Sequence, residues 1–309
     1  MIGLPLAVLP GLVHFNLGYS AAFAGFMISL QYAATLATRS VVGLISDSFG
    51  PKSAVLAGLA CAIISGICVI AAASSSVPWI IMAWLASSRI WLGAAESGTG
   101  TGCITWGIGQ TGAAHMASVM SWNGVASYGG IALGAPTGVF LYQCGGLAAL
   151  GMATMGLSAI GLGICTIKPG APVVAGARMG FTRVLRHVLP YGTCLALGSI
   201  GFGTLVAFIT LFYASHHWHN AAYALSAFGV AFVLVRVTLS GMIRRYGGLT
   251  ASAVSLAVEA AGLMVLWRAG SAEIALLGAA LTGLGLSLVF PAMAVEALKD
   301  VPVSNRGAA

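Results

Sequence analysis

Two charged residues lie in the middle of an otherwise apolar stretch of the chain. Arg89, Gly93 and Glu96 follow one another at i, i+4 and i+7, which places all three on one face of a helix over two turns. A charge at membrane depth is costly and usually faces a cavity or a partner. Arg89 and Glu96 are therefore candidates for binding a polar solute or a proton. The alternative is a structural pair near one end of the helix.

Other polar, aromatic and charged side chains also fall inside apolar stretches. A central cavity could be lined by mixed polar and aromatic contacts from Gln31, Tyr32, Trp122 and Asn123. Arg236 and Glu259 are further candidates for coupling or substrate binding, and the alternative for Glu259 is a pairing within its own part of the chain.

The composition places these residues in lipid. Apolar residues make up 59% of the chain and charged residues only 6%, which is too little polar surface to cover a water-soluble globule of this length. The apolar runs are about twenty residues long, the length of a membrane-spanning helix. The net charge of +7 comes from basic residues spread along the chain at helix ends, so nucleic-acid binding is not expected.

The apolar runs predict an all-α membrane protein built from two pseudo-repeated helical bundles. A half helix ends near Val13, and about nine full spans follow. The predicted spans are 21–45, 54–72, 79–102, 118–142, 147–167, 188–213, 222–243, 251–268 and 274–298. The domains follow from this division: an N-terminal bundle over 1–167, a linker over 168–187 and a C-terminal bundle over 188–309.

The basic residues predict the orientation of the helices. When alternate loops are assigned to opposite sides, one side holds only Arg268, and the other collects Lys52, Lys168, Arg178, Arg183, Arg186, Arg244, Arg245, Lys299 and Arg306. The positive-inside rule then places the Lys52 loop and the 168–187 linker in the cytoplasm.

The two groups of helices resemble each other at one place. Arg39 and Asp47 precede Phe49-Gly50 in the first group, and Arg236 precedes Tyr246-Gly247 at the matching point of the second group. Internal duplication of this kind is typical of transporters.

The segment from Gly43 to Lys52 carries a family resemblance. Gly43, Asp47, Gly50 and Lys52 resemble the G-x-L-x-D-x-x-G-x-K/R loop between the second and third helices of the major facilitator superfamily. The resemblance implies a gating loop that includes Arg39, which lies one turn before Gly43. Ser48 stands where many members carry Arg, which removes one charge of the usual network.

The resemblance extends over essentially the whole chain. Thr105-Trp106-Gly107, Ser121-Trp122-Asn123-Gly124 and Phe208-Ile209-Thr210 are similar to the YhhS/YfcJ branch of bacterial transporters. Members of the superfamily have twelve helices, so we expect this chain to begin partway through the first helix and to stop where the eleventh would start.

The resemblance also suggests the mode of transport. Arg89 with Gly93 resembles a fourth-helix R-x-x-x-G pattern that is linked to proton coupling. A stripe of small residues resembles the fifth-helix motif of antiporters, although Ala135 interrupts the pattern; its members are Gly130, Gly134, Pro136 and Gly138. Plain helix packing is the alternative for this stripe.

These observations predict a secondary transporter that exports a small organic solute by alternating access, coupled to protons. We expect a monomer in the bacterial inner membrane, with no cofactor and no metal. Uptake by symport and a non-transporting remnant or scaffold are the alternatives. No arrangement of nucleophile, base and orienting group is recognisable, so an enzyme is not expected.

Overall fold

The computed structural model describes residues 1–171, 181–239 and 241–298. Its regular elements are α1 (Gly3–Leu6), α2 (Leu9–Gly11), a π-helical turn (Leu12–Asn16), α3 (Ala21–Phe49), α4 (Pro51–Ala73), α5 (Pro78–Thr111), a 3-10 turn (Ala113–His115), α6 (Met116–Ile167), α7 (Phe181–Ser215), α8 (Ala222–Thr238), α9 (Met242–Tyr246), α10 (Gly248–Trp267) and α11 (Ala272–Leu298).

The predicted half helix at the N-terminus is present but broken. Pro5 and Pro10 each lack the backbone N–H that an uninterrupted helix needs, and the segment divides into α1, α2 and a π-helical turn. The next helix begins with a regular cap, because the Ser20 side chain accepts a hydrogen bond from the Phe23 N–H at 3.2 Å.

Two glycines make the same tight turn at matching places in the chain. Gly50 ends α3 with φ +88° and ψ 156°, and Gly247 ends α9 with φ +82° and ψ 157°. A positive φ is strained for other residues, so these turns require glycine. Pro51 then starts α4, where its missing N–H would have no partner in any case.

The longest helix bends in the gap predicted between two spans. In α6, Gly145 and Gly146 leave helical geometry, and Gly146 has a φ of +61°. Beyond the bend, Gly151 packs against Gly66 while Gly161 packs against Leu59. The second part of α6 therefore runs antiparallel to α4, with small residues at the crossing, as is usual between membrane helices.

Within the described residues, six helices are long and apolar enough to cross a bilayer, judged by length and composition alone. They are Ala21–Phe49, Pro51–Ala73, Met116–Ile167, Leu189–Ser215, Gly248–Trp267 and Ala272–Ala294. The predicted count of about nine full spans is not confirmed by this criterion. Met116–Ile167 contains the bend, Ala222–Thr238 has only 17 residues, and Pro78–Thr111 is absent because its polar residues lower its hydropathy.

The chain forms two compact units. The first comprises Met1–Gln110, Leu133–Val173 and Val206–His217, and the second comprises Thr111–Ala132, Val174–Leu205 and Trp218–Ala309. Residues 172–180 of the predicted linker lie outside the described residues, as do Lys299 and Arg306. The predicted domain boundaries at 167 and 188 therefore stay a prediction.

Two helices approach each other closely at matching positions of the two units. A Cβ added at Gly93 of α5 would collide with the backbone oxygen of Gln31 in α3. A Cβ added at Gly283 of α11 would collide with the backbone oxygen of Phe228 in α8. Gln31 and Phe228 stand at equal distances before the paired turn glycines Gly50 and Gly247, so the two contacts occupy matching positions.

A second pair of contacts also occurs at matching positions of the two units. A Cβ at Gly102 would lie 3.2 Å from the Pro51 oxygen, and a Cβ at Gly248 would lie 2.6 Å from the Ala292 oxygen. Helices α3, α4 and α5 of the first unit thus correspond to α8, α10 and α11 of the second. This geometry supports the internal duplication that the sequence predicts.

Candidate functional site

A buried polar cluster lies where α3 crosses α5 in the first unit. Gln31 is fully buried on α3, and Arg89 is 1% exposed on α5. Glu96 is half-buried on the same face of α5, two turns further along. The absence of a side chain at Gly93 lets the two helix backbones approach closely enough for these groups to meet.

The Gln31 amide connects the two charged groups. Its Oε1 accepts a hydrogen bond from Arg89 Nη1 at 3.2 Å, and its Nε2 donates to Glu96 Oε2 at 3.0 Å. Within the described residues, Arg89 and Glu96 are joined through this amide rather than by a direct ion pair. The carboxylate and the guanidinium thus share one neutral partner that can donate and accept at once.

Two hydroxyl residues complete the surroundings of the charges. Thr35 Oγ1 lies 3.3 Å from Glu96 Oε2 and also within reach of the Gly93 oxygen at 3.1 Å. Arg89 Nη2 donates to Ser88 Oγ at 3.3 Å, while Arg89 Nε has no partner among the described residues. A carboxyl group in these surroundings can gain or lose a proton with its hydrogen-bond partners already in place.

Thr35 and Ser88 were not predicted from the sequence. Thr35 follows Gln31 by one helical turn, a spacing that could have placed it on the same face. Ser88 is adjacent to Arg89, and its hydroxyl also lies 3.0 Å from the Ser65 hydroxyl of α4. No pattern in the sequence indicates that contact between helices.

The residues of the predicted gating loop have different surroundings. Arg39 Nη1 donates to Thr101 Oγ1 of α5 at 3.2 Å. Asp47 is exposed in the last turn of α3, and a Cβ added at Gly43 would meet nothing within 4 Å. Gly50 makes the turn described above.

Lys52 has a different role from its loop neighbours. Its Nζ donates to the backbone oxygens of Thr166 at 3.0 Å and Lys168 at 2.7 Å. An ammonium group satisfies the last carbonyls of α6 and interacts favourably with the negative end of the helix dipole. The Pro169 oxygen accepts further bonds from Trp106 Nε1 at 3.1 Å and Gln110 Nε2 at 3.0 Å.

The fifth-helix glycines differ in what they touch. Gly134 and Gly138 pack on the backbone of Gly3 and Leu4 in α1, where any side chain on α6 would clash. A Cβ at Gly130 would meet nothing within 4 Å, and Pro136 lies in the helix interior. The stripe is therefore a packing surface at two of its three glycines.

The remaining candidates have different surroundings. Tyr32 is adjacent to Gln31, is half-buried and interacts electrostatically with Arg89. Asn123 is half-buried, and Trp122 is 64% exposed. In the second unit, Arg236 and Glu259 are each 3% exposed. Glu259 packs against Gly198 and Gly201 of α7, and both of its carboxylate oxygens lack hydrogen-bond partners among the described residues.

The chain is similar in sequence to known proteins over its whole length. The chain is 51% identical over 309 residues to an uncharacterized MFS-type transporter of Pseudomonas aeruginosa (strain LESB58), covering 100% of this chain and 77% of that protein. It is 49% identical over 309 residues to an uncharacterized MFS-type transporter of Burkholderia mallei (strain SAVP1), covering 100% of this chain and 76% of that protein.

Solved structures share the fold at low sequence identity. The xylose transporter XylE from E. coli, in a partially occluded inward-open conformation, has a TM-score of 0.72 at 14% identity, covering 99% of this chain and 85% of that chain. The human organic anion transporter MFSD10 has a TM-score of 0.71 at 16% identity, covering 99% and 84%. The nucleoside transporter NupG has 0.70 at 15% identity, covering 99% and 81%.

Long apolar helices and a buried charged cluster in the first unit are typical of a multi-pass membrane transport protein. The chain belongs to the Major Facilitator Superfamily, whose family model matches residues 1–309. Proteins of this family bind small-molecule substrates, usually work as monomers, and are transporters rather than enzymes. The family resemblance and the prediction that the chain is not an enzyme are thereby confirmed.

Proposed function

We propose that this chain is a proton-coupled secondary transporter that exports a small organic solute by alternating access, with Glu96 as the proton-binding group. The observation that carries the proposal is the hydrogen-bonded connection of Glu96 to Arg89 through Gln31. A carboxylate at membrane depth has a strong tendency to bind a proton, and a nearby fixed cation opposes that tendency. The balance between the two can change when helices shift, which is what coupling requires.

The groups around Glu96 suit this role. From α3 it faces Gln31 and Thr35, and Arg39 lies near enough to interact with it electrostatically. Gln31 donates to the charged carboxylate, so protonation of Glu96 weakens this hydrogen bond. In each cycle one proton would move inward through Glu96 as one solute molecule moves outward, so that the proton gradient drives export.

The proposal includes the membrane topology of the helices. We infer that α5, α8 and both parts of α6 cross the bilayer, which gives the predicted nine spans over the bundles 1–167 and 188–309. The Lys52 loop and the 168–187 linker would lie in the cytoplasm of a bacterial inner membrane, and the loop from Arg39 to Lys52 would act in gating. We place the chain in the YhhS/YfcJ branch on its sequence motifs.

Replacement of Glu96 by Gln tests the coupling. The full chain is reconstituted in proteoliposomes with radiolabelled xylose, uridine and p-aminohippurate as probes of three solute classes. For any probe carried by the wild type, Glu96→Gln should abolish accumulation driven by a pH gradient but retain exchange between equal solute concentrations at constant pH. The neutral amide keeps the shape of the carboxyl group and removes the titrating proton.

Glu273→Gln is the matched control, because Glu273 is exposed at the start of α11. This variant should accumulate the probe as the wild type does. Accumulation by Glu96→Gln that follows the pH gradient as strongly as the wild type does would contradict the proposed role.

Uptake by symport is the second candidate function. Ala135 separates Gly134 from Pro136, so the stripe on α6 departs from the pattern that is linked to antiporters. The direction of probe movement under an imposed pH gradient distinguishes the two modes. In vesicles of known orientation, movement of the solute against the proton flow indicates export, and movement with it indicates uptake.

A further inference from the structure

The second unit contains a buried guanidinium group that makes no ion pair with the described residues. Arg236 lies in the last turn of α8 and is 3% exposed. Its Nε and Nη1 are sealed from solvent and have no hydrogen-bond partner among the described residues. An arginine keeps its positive charge in proteins, so it cannot become neutral as a buried carboxyl group can. A buried charge of this kind is strongly unfavourable until an anion pairs with it.

Comparison of the two repeats shows which partners are missing. Arg236 corresponds to Arg39, since both stand at the same distance before the paired turn glycines. Arg39 donates to Thr101 and lies near Glu96. Thr101 follows Gly93 at the same distance as Pro291 follows Gly283, so these two positions correspond. By the same count, Glu96 corresponds to Leu286. The second repeat thus has apolar residues in place of the hydroxyl acceptor and the carboxylate, while it keeps the arginine and buries it.

The same guanidinium lies beside one ring of an aromatic cluster. Arg236 Cζ lies 4.9 Å from the centroid of the Phe232 ring. Tyr128 of α6 stacks on Phe232 with centroids 3.8 Å apart, and its ring meets Phe202 of α7 edge-on at 5.4 Å. Phe202 in turn stacks on Phe228 at 5.0 Å. A charged group beside a cluster of rings suits a ligand with an anionic end and an apolar or aromatic body.

The backbone of α6 also lies close to the guanidinium. A Cβ added at Gly124 would lie 3.2 Å from both Cζ and Nη2 of Arg236. That distance is tighter than ordinary van der Waals contact, so a side chain at this position would press on the guanidinium. Gly124 therefore lets α6 approach Arg236 without filling the space beside it.

We propose that Arg236 binds the carboxylate of an organic anion with an aromatic or apolar body, and that such anions are the substrates of this transporter. The proposal rests on the transport function proposed above and adds the substrate class. Nε and Nη1 are closed off in this structure, so the anion would enter in another state of the alternating-access cycle. A planar guanidinium can then donate two parallel hydrogen bonds to the carboxylate.

Binding of benzoate to the detergent-solubilised full chain tests the site. Benzamide is the neutral isostere, and inorganic phosphate is an anion without a ring. Calorimetry and thermal unfolding at constant pH should show that benzoate binds and stabilises the wild type, and that benzamide and phosphate bind at least about tenfold more weakly, because each lacks one of the two contacts. No benzoate binding, or equal binding of benzamide, would overturn the proposal.

Variants of Arg236 separate a binding role from a structural one. Arg236→Gln should bind benzoate about tenfold or more weakly, and its unliganded unfolding temperature should equal or exceed that of the wild type, since an unpaired buried charge is removed. Arg236→Lys keeps the charge but loses the planar fork, so its affinity should fall between the two. Gly124→Ala should also weaken benzoate binding, and it provides the test if the Arg236 variants do not fold.

Arg268→Gln is the matched control. Arg268 also lies over an aromatic ring, at 5.3 Å from the Trp267 centroid, but it is exposed in the loop before α11. This variant should bind benzoate as the wild type does. A lower unfolding temperature of unliganded Arg236→Gln with unchanged benzoate affinity would show a structural role and overturn the proposal.

Two further measurements distinguish substrate binding at Arg236 from lipid binding and from the coupling role of Glu96. If the anion at Arg236 is a lipid phosphate, phosphatidylglycerol added to the micelles will displace benzoate and phosphatidylcholine will not, and that result would also overturn the proposal. Benzoate binding is measured on the Arg236 variants, and proton coupling is measured on Glu96→Gln. Normal proton coupling with Glu96→Gln would therefore reject the proposed coupling role while the anion site at Arg236 stands on its own measurement.

Discussion

At the scale of single residues, Gln31 connects the charges of the first unit. Its amide has one acceptor and one donor end, and the structure uses both, toward Arg89 and toward Glu96. The sequence suggested only that Gln31 could line a cavity, since an isolated glutamine in an apolar helix does not indicate its partners. Its full burial makes it a component of the charged cluster and not of a solvent-lined surface.

Replacement of Gln31 by Leu should destabilise the protein by about 1–3 kcal/mol, because Arg89 and Glu96 both lose a buried hydrogen bond. Thermal unfolding in detergent would measure the loss. Gln143→Leu is the control, since Gln143 is exposed near the bend of α6 and should change stability little. Addition of Glu96→Gln to Gln31→Leu should give a less than additive loss, and full additivity would argue against the connection.

At the scale of helices, glycine positions decide how closely neighbours approach. Gly93 lets the backbone of α5 contact that of α3 at Gln31. Gly283 lets the backbone of α11 contact that of α8 at Phe228. In the first unit this approach assembles the polar cluster, whereas in the second unit the corresponding position is the aromatic Phe228. The same helix crossing thus supports a charged site in one repeat and an apolar packing surface in the other.

Gly93→Ala should cost about 1–3 kcal/mol of stability, because a Cβ there would lie 2.7 Å from the Ala34 Cβ and 2.9 Å from the Thr35 N. The same variant should weaken pH-driven transport by moving Gln31 away from Glu96. Gly100→Ala, on the same helix with nothing within 4 Å of the added Cβ, should change stability by no more than about 0.5 kcal/mol. Equal losses in unfolding temperature for the two variants would refute the packing argument.

At the scale of the whole molecule, the distribution of basic residues predicts which loops face the cytoplasm. The exposed Ser48 lies in the last turn of α3, just before the Gly50 turn, and the exposed Ser76 lies in the loop between α4 and α5. The two positions flank opposite ends of α4, which is long and apolar enough to cross the bilayer. The positive-inside rule places Ser48 on the cytoplasmic side.

Cysteine labelling checks this orientation. In a background without the native cysteines, Ser76→Cys should react with a membrane-impermeant maleimide in cells with a permeabilised outer membrane and an intact inner membrane. Ser48→Cys should react only after the inner membrane is opened as well. The reverse pattern would show that the Lys52 loop faces away from the cytoplasm, and labelling of both sites in intact inner membranes would contradict a span over α4.

The sequence alone determined the class of the protein and much of its helical order. The apolar runs located the helices, and the gaps predicted between spans contain the turn at Gly50 and the bend at Gly145 and Gly146. The spacing of Arg89, Gly93 and Glu96 placed them on one face of α5, because helical periodicity is a local property. The motif from Gly43 to Lys52 indicated the family that the comparison confirms.

Only the tertiary structure decided which of these residues meet. Arg39 and Arg236 look equivalent in the sequence, yet one is exposed and bonded to Thr101 and the other is buried beside Phe232. Lys52 binds carbonyl groups at the end of α6, a contact that no local pattern encodes. A membrane helix is apolar on nearly all its faces, so its hydrophobic pattern carries little information on rotation or neighbours. Contacts between helices are set by the fit of small residues and by the few buried polar groups that must find a partner.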